Sequence, residues 1–104
     1  KFINDCKECI VHNLRSPELS VDFIAAQLNM SHSALYKRVK AITGHSVVDL
    51  IIDIRLSRAI ELIRSGANNM TEVADNCGFS DLRSFRATFK SRMGMTPKQY
   101  AKEL

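Results

Sequence analysis

Apolar residues along this chain recur every three or four positions, and nowhere do they alternate over a sustained run. That period belongs to helices packed on one face, so the pattern predicts helix after helix and no strand. Phe2, Ile3, Cys6, Cys9, Ile10 and Leu14 fall on one helical arc, which Ser16-Pro17 ends. Ser20 can cap a short helix carrying Val21, Ile24, Ala25 and Leu28. Ser31 can cap the next, with Leu35, Val39 and Ile42 on its inner side and Gly44 at its end. Ser46, with Asp49 three residues on, starts a long helix reaching Ser65-Gly66. Asn69 with Glu72 reads as a capping box for a short helix ending near Cys77-Gly78. Ser80 is expected to cap another through Met93-Gly94, and Thr96-Pro97 with Gln99 to begin a last one. The expected fold class is therefore all-α, with seven helices.

Self-comparison shows a repeat. Ile24-Ala25 matches Val73-Ala74 and Met30-Ser31 matches Phe79-Ser80 at an offset of 49. From Leu35 the offset becomes 50: Leu35 matches Phe85, Val39 matches Phe89, Lys40 matches Lys90 and Gly44 matches Gly94. One added residue is expected at the start of the second copy's longer helix. Each copy reads as a short helix with a small Ala, a tight turn, then a capped basic helix. The Ala lets two helix backbones approach steeply, and Asn29 and Gly78 tolerate the left-handed turn between them. Two helix-turn-helix units joined by a long central helix follow. The assignment is residues 1–45 for the first unit, 46–66 for the linker helix and 67–104 for the second, all within one domain spanning 1–104.

Charge adds direction to this picture. The net charge is +4, but it is unevenly placed. Between residues 32 and 45, Lys37, Arg38 and Lys40 stand without an acid, and between 83 and 102 so do Arg83, Arg86, Lys90, Arg92, Lys98 and Lys102. The remaining stretches are net acidic. Positive charge gathered into two separate segments is the footprint expected for a polyanion touched twice, although solvated helix faces have the same composition. No apolar run approaches the ~18 residues of a membrane helix, and no n-region followed by an h-region suggests secretion. Three cysteines, an odd number with Cys77 far from Cys6 and Cys9, do not form a disulfide framework, and a reducing cytoplasm is expected.

The sequence resembles the AraC/XylS family of transcription activators over essentially its whole length. The resemblance rests on Ile24-Ala25, Met30-Ser31, Leu35-Tyr36-Lys37, Lys40 and Thr43-Gly44, then Arg55-Leu56, Ala59 and Leu62. It is stronger in Glu72-Val73-Ala74, Gly78-Phe79-Ser80-Asp81, Phe85, Phe89-Lys90, Gly94-Met95-Thr96-Pro97 and Tyr100. Asn29 departs from the glycine usual there. The resemblance implies a double helix-turn-helix domain that binds double-stranded DNA, with RNA polymerase and an upstream sensing or dimerising region of the same protein as further partners. The chain begins at Lys1, as expected of a piece of a longer regulator. This domain is expected to touch no membrane, although a hybrid-sensor parent would be membrane-anchored.

By resemblance, base-edge contact maps onto Ser33, Tyr36 and Lys37 in the first unit and onto Leu82, Arg83, Ser84, Arg86 and Ala87 in the second. Arg86 is the leading candidate for guanine, because its fork matches O6 and N7. Arg38, Lys40 and Lys90 are candidate phosphate contacts, as are the exposed amides and hydroxyls at Ser31, Ser80 and Thr96. Arg55, on the apolar arc of the long helix, is expected to need an acidic partner, with Asp81 first choice, or to reach water along its stem. Cys6, Cys9 and His12 invite a metal or redox reading. The helical register puts both cysteines on the apolar arc and His12 off it, with no fourth ligand, so buried hydrophobes are the expected role. No cofactor or catalytic constellation is expected, and no enzyme. Two other readings stay open: a protein-interaction module docking polymerase or a sensor domain, and a metal- or redox-responsive regulator through the cysteines and His12.

Overall fold

A computed structural model describes all 104 residues. Its seven helices are α1 (Phe2–His12), α2 (Val21–Gln27), α3 (His32–Thr43), α4 (Val47–Arg64), α5 (Met70–Asn76), α6 (Leu82–Met93) and α7 (Pro97–Lys102). There is no strand, and no helix is long and apolar enough to cross a membrane. The chain forms two compact units, Lys1–Ile54 and Arg55–Leu104.

In the first unit, Cys6, Ile10 and Leu14 meet Ile24 and Ala25 of α2, Leu35 and Val39 of α3, and Val47, Leu50 and Ile51 of α4. In the second, Leu56, Ala59 and Ile63 are buried with Val73, Ala74, Cys77, Phe85, Phe89 and Pro97. Both units thus draw on α4: its residues through Ile54 group with the first and those from Arg55 onward with the second. That explains why α4 carries apolar residues around most of its circumference. The cover is incomplete, since Val48 is 52% exposed. Ile42, expected on the inner side of α3, is 56% exposed: the α3 core stripe ends with Val39, and the last turn projects past it.

The two turns are built alike. Asn29 takes φ 56°, and Gly78 takes φ 88°. In the first turn the Met30 amide donates to the Ala25 carbonyl at 2.9 Å and the Asn29 amide to the Ala26 carbonyl at 3.2 Å. In the second the Phe79 amide donates to the Ala74 carbonyl at 3.0 Å and the Gly78 amide to the Asp75 carbonyl at 3.1 Å. This paired 6→1 and 5→2 pattern closes a helix around one left-handed residue and satisfies carbonyls that would otherwise lack partners. Here it reverses the chain so that α3 follows α2, and α6 follows α5, without a buried polar group.

Helix starts follow the expected chemistry with two corrections. The first is that the Asn69–Glu72 pair is one-sided, with Asn69 accepting and no return bond from Glu72. Ser20, Ser31 and Asn69 accept hydrogen bonds from the amides of Phe23, Ala34 and Glu72, and Ser46 from that of Asp49. Thr96 and Gln99 form the full reciprocal box, at 3.2 and 2.9 Å. The cap of α6, however, is Asp81 and not Ser80: the Ser84 amide donates to its carboxylate at 2.6 Å. A carboxylate is a stronger acceptor than a hydroxyl and is favoured by the helix dipole. Ser80 therefore lies in the turn, and the residue that shifts the repeat from 49 to 50 is absorbed before the helix begins. The helices themselves, α3 and α6, are both 12 residues long.

Candidate nucleic-acid interface

Each unit presents one capped basic helix held by its own core. Leu35 and Val39 anchor α3 and Phe85 and Phe89 anchor α6; all four are fully buried. Residues spaced by four in a helix share a face, so the remaining positions lie away from the core. On α3 those positions carry Ser33, Tyr36, Lys37, Arg38 and Lys40, all exposed, with Tyr36 at 45%. On α6 they carry Arg83, Ser84, Arg86, Ala87 and Lys90, also exposed, with Leu82 half-buried at the start. Neither helix contains an acidic residue. The side chains named as base-edge candidates are thus brought together on one surface in each unit.

The anchoring differs between units. Phe85 packs between Phe79 and Phe89, with ring centroids 5.1 and 5.8 Å away, and Phe89 meets Tyr100 edge-on at 5.8 Å. The Tyr100 hydroxyl in turn lies 3.3 Å from an Arg64 Nη. Tilted and edge-on rings set the positive edge of one against the negative face of another, which fixes α6 more firmly than area burial alone. The first unit holds α3 with aliphatic contacts.

Several candidates have neighbours that the sequence did not show. The Arg38 guanidinium lies 4.1 Å above the Phe2 ring, a cation–π contact that ties α3 to α1. The hydroxyl oxygens of Ser31 and Thr96 accept from amides of their own helices. The Asp81 carboxyl is held below its ordinary range by the Ser84 amide, then by the Ser84 hydroxyl and the charge of Arg83. Asp81, first choice as the partner of Arg55, caps α6, and the charge that acts on its carboxyl is that of Arg83. Arg55 is half-buried near Cys77; burial pushes its guanidinium down and the Cys77 thiol opposes that shift.

Cys6 is buried, Cys9 half-buried and His12 exposed. The structure assembles no group of three or more His, Cys, Asp or Glu side chains able to hold a metal ion. Burial raises all three thiols, that of Cys77 to about 11. One functional candidate escaped sequence reasoning. His32, the first residue of α3, holds its Nδ1 2.7 Å from an Asp22 carboxylate oxygen on α2. The partners are ten residues apart, and only the fold of the turn brings them together.

Comparison with known proteins agrees with this geometry. Residues 24–103 match the family described as a helix-turn-helix domain. The chain is 32% identical over 103 residues to the Msm operon regulatory protein of Streptococcus mutans, covering 99% of this chain and 37% of that protein. It spans less than half the length of such curated relatives. Among solved structures it is similar to the C-terminal domain of AraT, a response regulator from Geobacillus stearothermophilus, with TM-score 0.91 and 27% identity over 98% of this chain and 84% of that one. It is also similar to the DNA-binding domain of AdpA, solved in complex with a target DNA, with TM-score 0.87 and 25% identity over 97% of this chain and 89% of that one. Seven helices, two equivalent turns and a family match over most of the chain lead to one assignment: the chain belongs to the helix-turn-helix domain family, as an AraC-type DNA-binding domain of a transcription regulator.

Proposed function

We propose that this chain binds double-stranded DNA sequence-specifically as the output domain of a transcription regulator, with α3 and α6 each entering a major groove. The observation that carries the reading is the pairing of two capped, acid-free helices, each with its buried side fixed and its cationic side exposed. A major groove about 12 Å wide admits one such helix. Ser33, Tyr36 and Lys37 are the proposed base readers of the first unit, and Leu82, Arg83, Ser84, Arg86 and Ala87 those of the second. Lys40 and Lys90, with Arg38 and the helix starts at Ser31, Ser80 and Thr96, are proposed to neutralise or bond phosphates. Residues 46–66 are proposed as the linker helix between helix-turn-helix segments 1–45 and 67–104, its two halves belonging to the two compact units. The AdpA complex with target DNA supports the reading by similarity.

Within a longer regulator, an upstream sensing or dimerising region would supply the signal and RNA polymerase would be the downstream partner. The domain would act in the cytoplasm and carry out no chemical reaction of its own. Quantitative footprinting at several salt concentrations tests the central claim. A DNA-binding output domain protects two segments centred about 10 bp apart, one helical turn, and loses affinity steeply as salt rises. A single protected segment, unchanged by substitutions in one of the two helices, would mean that only one unit reads DNA. Binding that ignores salt would favour the protein-docking reading.

A further inference from the structure

We infer that His32 is a further DNA contact of the first unit, an imidazolium donor to a backbone phosphate, positioned by Asp22; this rests on the DNA-binding reading above. His32, Tyr36 and Lys40 follow one another at intervals of four along one ridge of α3, and all three are exposed, His32 because it opens the helix beside α2. Its ring is not free to wander. Asp22 engages Nδ1 at 2.7 Å, which leaves Nε2 as the atom available to an outside partner. Both side chains are solvent-exposed, at 59% for His32 and 82% for Asp22. An exposed pair of this kind adds little to stability; it is enough to bias the direction of the ring and little more.

The chemistry then has a definite sense. Neutral imidazole that donates from Nδ1 offers only an acceptor at Nε2, which a phosphate oxygen repels. Protonated imidazole donates from both nitrogens, one to Asp22 and one outward. The charge facing His32 from α2 is Asp22, the only titratable side chain on that helix; on α3 the nearest titratable groups are Tyr36, Lys37 and Arg38, four, five and six residues on. The second unit lacks the device. Counting from the matched caps, Ser20 with Asn69 and Ser31 with Asp81, the equivalent positions are Thr71 and Leu82. Any proton dependence of this kind therefore enters through the first unit.

The test is the salt dependence of binding to a mixed-sequence duplex at about pH 6 and about pH 8, the span over which imidazole charge changes. The 104-residue chain should show a logarithmic salt slope steeper by about one at the lower pH. The double variant His12→Gln/His45→Gln should keep that difference. His32→Gln should lose it, and His32→Lys should show the steeper slope at both pH values. In the free chain at the higher pH, imidazole nitrogen shifts should report the proton on Nδ1, moving to Nε2 in Asp22→Ala. A slope difference that survives His32→Gln, or none in the unsubstituted chain, overturns the contact. An Nε2–H ring in the unsubstituted chain overturns the positioning by Asp22. Absence of duplex binding at either pH overturns the DNA-binding reading itself, and this inference with it.

Discussion

Asn29 is the only non-glycine residue with positive φ, at 56°, and it holds the first turn closed through the amides around it. A side chain with a β-carbon and no polar group to compensate pays about 1–2 kcal/mol there. Asn29→Ala should therefore lower unfolding stability by about 1 kcal/mol, while Asn29→Gly should be close to neutral; urea titration distinguishes the two. Cys77 makes the opposite kind of prediction, because burial raises its thiol to about 11. The unfolded chain begins to ionise this thiol near its model-peptide value of 9.0 while the folded chain does not. Its contribution to stability is thus present below pH 9 and lost as pH rises toward 11. The alkaline fall in stability should be shallower in Cys77→Ala. At this scale the sequence was informative wherever the neighbour that matters is near in the chain, as for Asn29 or the Thr96–Gln99 box. It was silent where the neighbour arrives by folding. Asp22 against His32 and Phe2 beneath Arg38 are pairs that no spacing rule anticipates.

At the scale of elements, the seven helices were legible because the apolar period marks each one and a side-chain cap marks every start except that of α1. Their edges were less so, for reasons of competing chemistry. Ser80 and Asp81 are both competent caps, and the sequence alone offers no measure of which amide will reach which oxygen. The structure chooses the carboxylate, with a testable consequence. A carboxyl held below its unfolded value contributes stability above that value and loses it as pH falls through the folded one. The acid unfolding of the chain should therefore include a component from α6, absent in Asp81→Asn, whose amide still caps but does not titrate. Thr96→Ala, which removes the hydroxyl half of the α7 box and leaves the backbone amide at 96 to donate to Gln99, should cost about 1 kcal/mol by thermal unfolding. Ile42 illustrates the other limit: the apolar period of α3 runs one turn beyond the core that it serves, and period alone cannot say where a neighbour stops.

At the scale of the molecule, the repeat offers two views of one proposed site, since exposed positions of one unit can be compared with those of the other. The functional division within it is the subject of a further prediction. Arg86→Ala should relax base preference in one protected segment, and Lys37→Ala in the other, each by about 1–3 kcal/mol. Lys40→Ala and Lys90→Ala should instead weaken binding to all duplexes alike and lower the salt slope by about one each, as phosphate contacts do. The same repeat has a consequence for engineering. From cap to terminal left-handed glycine, Ser31 to Gly44 and Asp81 to Gly94, the two reading helices have the same length, and both glycine amides close on the carbonyl four residues back, Lys40 and Lys90. What differs is the side turned inward, aliphatic in one and aromatic in the other. On the proposed reading, the outward residues are thus a separable alphabet written on two rods of equal length. Transplanting the exposed letters of α6 onto α3, with Leu35 and Val39 left untouched, would yield a protein that spells the same word twice.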